Sequence, residues 1–193
     1  GLGSRINTPQ TRDLIRRLNL AAITVLNNKG NILPLHSDKE MLPMALLEVG
    51  DAGETDVLAK QLEKHTSLVR FRLHKEMAEA QGKVLRDSLS KYRRVIVAVA
   101  EQRLAPFQPF FAALAADKKA APAIYIFFTP GKMMLQIHRA VSAAQSVVLA
   151  HSAGHDVQQQ VADVLFARAS ADGRLSASLG GLFPTGAGVT ITP

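Results

Sequence analysis

Apolar positions along the chain fall into short runs separated by amphipathic stretches. The first is Leu14, Leu18 and Ala21 at helical spacing, behind a Thr8-Pro9 start with an N-cap hydroxyl and a proline at the first helical position. A β-branched segment follows, Ile23-Thr24-Val25-Leu26. The chain then passes Asn27 and Asn28, turns at Lys29-Gly30-Asn31 and leaves through Ile32-Leu33-Pro34-Leu35. Gly30 supplies the φ freedom of a tight reversal, and Pro34, lacking a donor, makes the exit an edge or strand end. Met44 to Val49 is a strand stopped by Gly50-Asp51. Asp56 to His65 reads as a helix with Val57, Leu58 and Leu62 on one side. Leu68 to Leu73 alternates apolar and basic residues, the period of a half-buried strand. Met77 to Tyr92 is a helix with Val84, Leu85 and Leu89 as its stripe.

Val95 to Ala100 is apolar on both faces, as a central strand covered by helices must be. Pro106 to Lys118 is a helix, Ala123 to Phe128 a buried strand and Pro130 to Ser142 a helix. Ser146 to Ala150 is a strand and Val157 to Ala169 a helix. Strands and helices alternating at this spacing predict an α/β protein: a flavodoxin-like three-layer α/β/α sandwich with about six mostly parallel strands. Neither an internal repeat nor an interdomain linker interrupts it, so residues 1–193 read as one α/β domain.

Two motifs, about 140 residues apart, give the pattern a family character. The opening stretch Leu18 to Leu35 resembles the start of the second domain of glycoside hydrolase family 3: an Ala-rich helix end, an Ile-Thr-Val-Leu strand, a glycine turn and a Leu-Pro-Leu exit. Near the other end, Leu165-Phe166-Ala167 is similar to the family's Leu-Phe-Gly corner. Gly173-Arg174-Leu175-Ser176-Ala177-Ser178 resembles its Gly-Lys/Arg-Leu-Pro-Val-Ser pattern, with Ser176 in the proline's place. Phe183-Pro184-Thr185-Gly186-Ala187-Gly188 matches its Phe/Tyr-Pro-x-Gly-x-Gly tail.

The resemblance implies the C-terminal α/β-sandwich domain of a larger family 3 enzyme. Its same-chain partner would be an N-terminal (β/α)8 barrel carrying the nucleophile, and its substrate a β-linked oligosaccharide. Retaining glycosidases need two carboxyl groups about 5–5.5 Å apart. In the β-glucosidase branch one is a glutamate on a long loop of this domain. Here only Glu101-Gln102-Arg103-Leu104-Ala105-Pro106 separates the central strand from the next helix, and no acidic, glycine-rich insert is present. That favours the β-N-acetylhexosaminidase branch, in which the acid/base is a barrel histidine; some members also carry a β-lactamase-type domain. The chain alone is then expected to be inactive and to hold no catalytic residue. Its start at glycine fits a fragment, and a periplasmic or secreted parent is expected.

Charge and composition change this little. Lys and Arg number 23 against 16 Asp and Glu, or +7, but the basic residues are dispersed and aromatics make up 5% without tryptophan. A base-stacking nucleic-acid surface is therefore not expected. No run of about 18 apolar residues predicts a membrane span. The absence of cysteine removes thiolate metal sites and thiol nucleophiles. No cofactor or metal is expected: His151 and His155 lack the metalloprotease glutamate, and Ser88-x-x-Lys91 lacks partner motifs. Thr129-Pro130-Gly131-Lys132 lacks full phosphate-loop spacing. A phospho-receiver would need clustered acids, for which only Asp51 and Glu101 are candidates. Ligands sit at the carboxyl ends of strands in such sheets. Glu101, Gln102, Thr129, His151 and Ser152 are accordingly the candidates for a substrate cleft or barrel interface. An exposed patch is expected where the opening turn, Asn27 to Leu35, meets the loops after Ala100, Phe128 and Ala150. The alternative is a stand-alone flavodoxin-like binding module without catalysis.

Overall fold

The computed structural model describes residues 8–39, 42–77 and 79–193. Six helices and six strands are found among them. The helices are α1 (Pro9–Ala22), α2 (Asp56–Glu63), α3 (Glu79–Leu89), α4 (Gln108–Ala116), α5 (His138–Ala143) and α6 (His155–Leu165). The strands are β1 (Thr24–Asn28), β2 (Met44–Val49), β3 (Leu68–Leu73), β4 (Val95–Val99), β5 (Ala123–Phe127) and β6 (Ser146–Leu149). They form one sheet in the order β1-β6-β5-β4-β2-β3. β2 to β6 are mutually parallel, in the flavodoxin-like order, and β1 is antiparallel at the far edge. The expected α/β sandwich is borne out.

The alternation of side chains explains the layers. Ala45, Leu47, Val97, Val99, Tyr125 and Phe127 point to one face and bury α3, α4 and α5 through Leu85, Leu89, Phe111 and Val141. Leu46, Ile96, Ala98, Ile124 and Ile126 point to the other and receive Leu58 and Leu62 of α2 and Val157, Val161 and Leu165 of α6. Central β4 is buried at every position, whereas edge strand β3 carries Arg70 and Arg72 outward, which discourages pairing with another edge.

Several elements differ from the expected pattern. Helix α3 ends at Leu89, and Gly82, not Val84, lies with Leu85 and Leu89 on its buried side; Val84 is exposed. Gly82 is buried because Phe110 lies against it, 3.6 Å from where a Cβ would stand. The stretches expected as helices from Pro106 and Pro130 begin as 3-10 turns, Ala105–Phe107 and Gly131–Ile137, before α4 and α5. Ile32 to Leu35 forms no ladder; Leu33 and Leu35 are instead buried in the core, and Leu35 N–H donates to Leu165 O at 2.7 Å.

The opening turn depends on its asparagine. Asn28 Nδ2 donates to Leu33 O at 2.9 Å, and Leu33 N–H donates to Asn28 Oδ1 at 3.0 Å, closing the loop across Gly30 (φ 67) and Asn31 (φ 51). Because Asn28 pairs with Ser146, the first residue of β6, this turn lies at the amino end of the parallel strands. It is therefore at the opposite end of the sheet from the loops after β4, β5 and β6, and the single patch expected from all four is not formed.

The two motifs noted in the sequence meet at β1. The tail doubles back beside this edge strand: Val189 N–H donates to Val25 O at 2.6 Å, and Ala171 and Ile191 exchange hydrogen bonds at 2.9 and 2.8 Å. A Cβ on Gly173 would stand 2.6 Å from Ile23 O, and one on Gly188 2.3 Å from Gly173 O. Both contacts are with backbone, so neither can yield cheaply. Replacing Gly188 by Ala is expected to cost about 2–4 kcal/mol, whereas Gly181→Ala, with nothing near it, should stay within about 0.5 kcal/mol. Urea denaturation of the two variants checks this, and equal midpoints would refute the close-packing account.

At the C-terminus of α6, Arg168 N–H donates to Asp163 O at 2.7 Å and Ala167 N–H to Val164 O at 3.1 Å, a Schellman closure with Ala167 at φ 53. The left-handed region favours glycine, which the similar family corner carries. Ala167→Gly is therefore expected to stabilise the protein by about 1 kcal/mol. A lower melting temperature for that variant would contradict it.

Candidate functional site

The crevice at the carboxyl ends of β2, β3 and β4 is where the strand order reverses, since β2 continues to β3 on one side while β4 lies on the other. Gly50 makes the close approach possible. It has φ 149, and a Cβ there would stand 3.4 Å from both Ala100 Cβ and Glu101 N. Ala100 N–H and Glu101 N–H both donate to Val49 O, at 2.9 and 3.0 Å, which ties the end of β4 to the end of β2.

A cavity of about 210 Å³ lies there, lined by residues that include Asp51, Arg72, His74, Lys75, Glu101 and Phe107. It adjoins a second cavity of about 310 Å³ between α3 and α4, whose wall includes Met77, Gly82 and Phe110 with the Arg86 guanidinium 5.4 Å from the Phe110 ring. Glu101 is 17% exposed, accepts from Arg103 N–H at 3.0 Å and faces Lys75 Nζ at 3.8 Å. Arg72, also in the lining, donates from Nε to Gly50 O at 3.1 Å. The lining thus offers a mixed set of cations and carboxylates, suited to hydroxyl-rich or zwitterionic ligands more than to a single strong charge.

Gln136 sets the reach of the loop after β4. Its Oε1 accepts from Leu104 N–H and Ala105 N–H, both at 2.8 Å, clamping the loop to the turn that follows β5. Glu101 is consequently held at the strand end rather than carried outward. Gln136 was missed in the sequence because a single glutamine inside a helical pattern carries no signal. The same is true of buried Gln158, whose amide accepts from Leu58 N–H at 2.9 Å and donates to Glu54 O and Ala153 O at 2.8 and 2.7 Å, joining α2 to α6.

The other candidates lie apart. Gln102 is exposed on the β4 loop. Thr129 is fully buried, and a Cβ on Gly131 after it would stand 3.1–3.2 Å from methyl groups of Leu149 and Leu179. His151, at φ 72, and Ser152 are exposed on the loop after β6. His155 opens α6, with Nδ1 3.8 Å from Asp156. Asp51 and Glu101 do share the crevice, but no group of three potential metal ligands occurs among the described residues.

Beside the crevice, Arg70 bridges Glu48 and Asp56, with Nη2–Oε1 2.6 Å to Glu48, and Thr55 Oγ1 donates to Glu48 at 2.7 Å. This joins β2, β3 and the start of α2. The Arg70 hydrogen bond holds the Asp56 carboxyl below its ordinary value, and Glu48 with Asp56 raises the Arg70 guanidinium.

No protein-family model and no curated protein sequence matches the chain. Solved structures do. A β-glucosidase from Listeria innocua superposes with a TM-score of 0.65 at 14% identity, over 89% of this chain and 27% of its own. A glycoside hydrolase family 3 β-N-acetylglucosaminidase from Paenibacillus sp. str. FPU-7 gives 0.66 at 18%, over 89% and 33%. A fungal multi-domain family 3 β-N-acetylglucosaminidase gives 0.67 at 14%, over 100% and 21%. The fold is thus one that family 3 glycosidases contain, as the motifs implied, and the chain spans a fifth to a third of these proteins' length.

Replacing Arg70 by Ala leaves Glu48, nearly enclosed, without its cation and is expected to cost about 1–3 kcal/mol, discounted for partial exposure. The depressed folded value of Asp56 supplies stability that is present at neutral pH and is lost as pH falls through that value. The variant should lose less between pH 7 and 3 than the parent chain. Chemical denaturation across that range decides it, and parallel pH profiles would refute the coupling.

Proposed function

We propose that this chain is the accessory C-terminal α/β domain of a larger family 3 glycoside hydrolase, which it supports by packing on a catalytic (β/α)8 barrel. Residues 1–193 then form one domain of a longer protein. The observation that carries the reading is the partial overlap: nearly all of this chain superposes on a minor part of several glycosidases. The meeting of both sequence motifs at β1 supports it, because each motif has a structural task in the same place.

The parent's substrate would be a β-linked N-acetylglucosaminide rather than a β-glucoside. The clamped, short connection after β4 supports this choice, since Glu101 is its one carboxylate and is held down by Arg103 N–H and Lys75. The crevice would form one wall of the cleft, with Glu101 and Gln102 nearest, and His151 and Ser152 on the loop after β6, beyond the intervening β5; Thr129 is too buried to meet a ligand. No helix among the described residues is long and apolar enough to cross a membrane. A periplasmic or secreted parent suits a polymeric sugar substrate. If the parent frame encodes no barrel, the stand-alone module with the flavodoxin-like strand order replaces this reading.

The isolated chain should not hydrolyse nitrophenyl N-acetylglucosaminide, while the full parent should. In the parent, Glu101→Gln is expected to lower kcat by less than about tenfold, short of the 10²–10⁴-fold of a lost general acid. A loss in that higher range, or turnover by the isolated chain, would overturn the assignment.

A further inference from the structure

Helix α1 is turned the wrong way for a helix of an isolated domain. Leu14, Ile15 and Leu18 are 56%, 46% and 60% exposed, and they are three of the seven large hydrophobic residues exposed among those described. With Ala21 and Ala22 they follow the i, i+3, i+4, i+7 spacing of one helix face. The opposite face meets α6 through polar contacts. Gln160 Nε2 donates to Arg16 O at 2.9 Å, Arg16 stands 3.7 Å from Asp156, and Leu20 alone of the helix's large apolar residues packs toward the core. No residue of the 14-residue helix is buried. A helix of this length is marginal in water and ordinarily owes its stability to packing its apolar face.

We infer that the outward face of α1, centred on Leu14 and Leu18, is the surface on which the catalytic domain of the same parent chain docks. The inference rests on the proposed function and adds to it the place of contact, which is not the opening turn. The solved neighbours supply the occupant's size, since two thirds to four fifths of their chains lie outside the match. A tethered domain reaches millimolar effective concentration. A second copy is disfavoured because a two-fold contact would bring this face, flanked by Arg12 and Arg17, against one flanked by the same arginines. A lipid surface is disfavoured because the helix lacks an aromatic anchor and carries Asp13, ion-paired to Arg17 at 2.8 Å. The partner surface should be apolar with an acidic rim facing Arg12 and Arg17.

The test places Leu14→Glu/Leu18→Glu in the 193-residue chain and in the full parent. In the isolated chain the melting temperature should shift by no more than about 2 °C, because the face is already exposed. Amide exchange over residues 14–18 should be at least about tenfold slower in the parent than in the isolated chain, and the double substitution should remove that protection. A parent that contains a barrel yet leaves the helix equally unprotected overturns this inference and spares the proposed function. A parent without a barrel overturns both. Unfolding of the isolated variant would show that the face already serves the domain's own core. Concentration-dependent dimerisation, or co-sedimentation with phosphatidylserine vesicles, abolished by the substitution would assign the face to a second copy or to lipid. Each of these results refutes the barrel as occupant.

Discussion

The structure depends on how its antiparallel edge is held. β1 is bonded to β6 on one side and meets the returning tail on the other, through Val25 and Val189. The approach is close enough that only glycine fits at Gly173 and Gly188, where a Cβ would collide with backbone oxygen. Backbone-to-backbone contact of this kind tolerates no side chain and covers the outer edge of β1 at Val25 against a stray partner. The tail is therefore the outermost layer of the sheet's architecture, not an appendage. It also explains why two short motifs at opposite ends of the sequence belong together: they are two sides of one contact.

Holding that edge leaves the other end of the sheet order free for a crevice. Its parts are polar and mutually restrained: Glu101 by Arg103 N–H and Lys75, Arg72 by Gly50 O, and the loop after β4 by Gln136. A carboxylate so restrained can shape and polarise a wall. On the proposed function, it is poorly placed to travel toward a reacting bond in the barrel, as a proton donor there would have to.

What the sequence showed well was what depends on period and punctuation. Central β4 and β5 are continuous apolar runs because helices cover both faces, and β3 alternates because it is an edge. The Thr8-Pro9 start is confirmed by Thr8 Oγ1 accepting from Thr11 N–H at 3.1 Å. Single polar residues with long-range tasks were invisible. Gln136 and Gln158 act through backbone groups about 30 and 100 residues away, which no local pattern encodes. Gly82 was overlooked for a related reason, since its burial is set by Phe110 on another helix. The end of the sheet at which the opening turn lies was misplaced because a strand's direction is a property of pairing, not of its own residues. Of the five candidates for a cleft or interface, Glu101 alone lies among the residues lining the crevice, because a strand end in sequence says nothing about which loops converge.

Helix α1 shows the limit of amphipathic patterning as a guide to burial. Leu14, Leu18 and Ala21 are spaced as a core-facing stripe, and the structure turns that stripe to solvent. Periodicity reports that a face will be covered; it does not report by what. The inward face has its own partners, since Arg16 and Gln160 would lose a hydrogen bond and an ion pair if the helix rolled to bury its leucines. The opposing terms are unequal in size. Exposed ion pairs contribute at most about 1 kcal/mol, whereas covering the exposed half of two leucines is worth roughly 2–4 kcal/mol. The helix would roll if the domain offered a groove for those side chains. The core layer on that side is built from Ile23, Val25, Leu33 and α6 and receives only Leu20 of the helix, so among the described residues Leu14 and Leu18 stay at the surface.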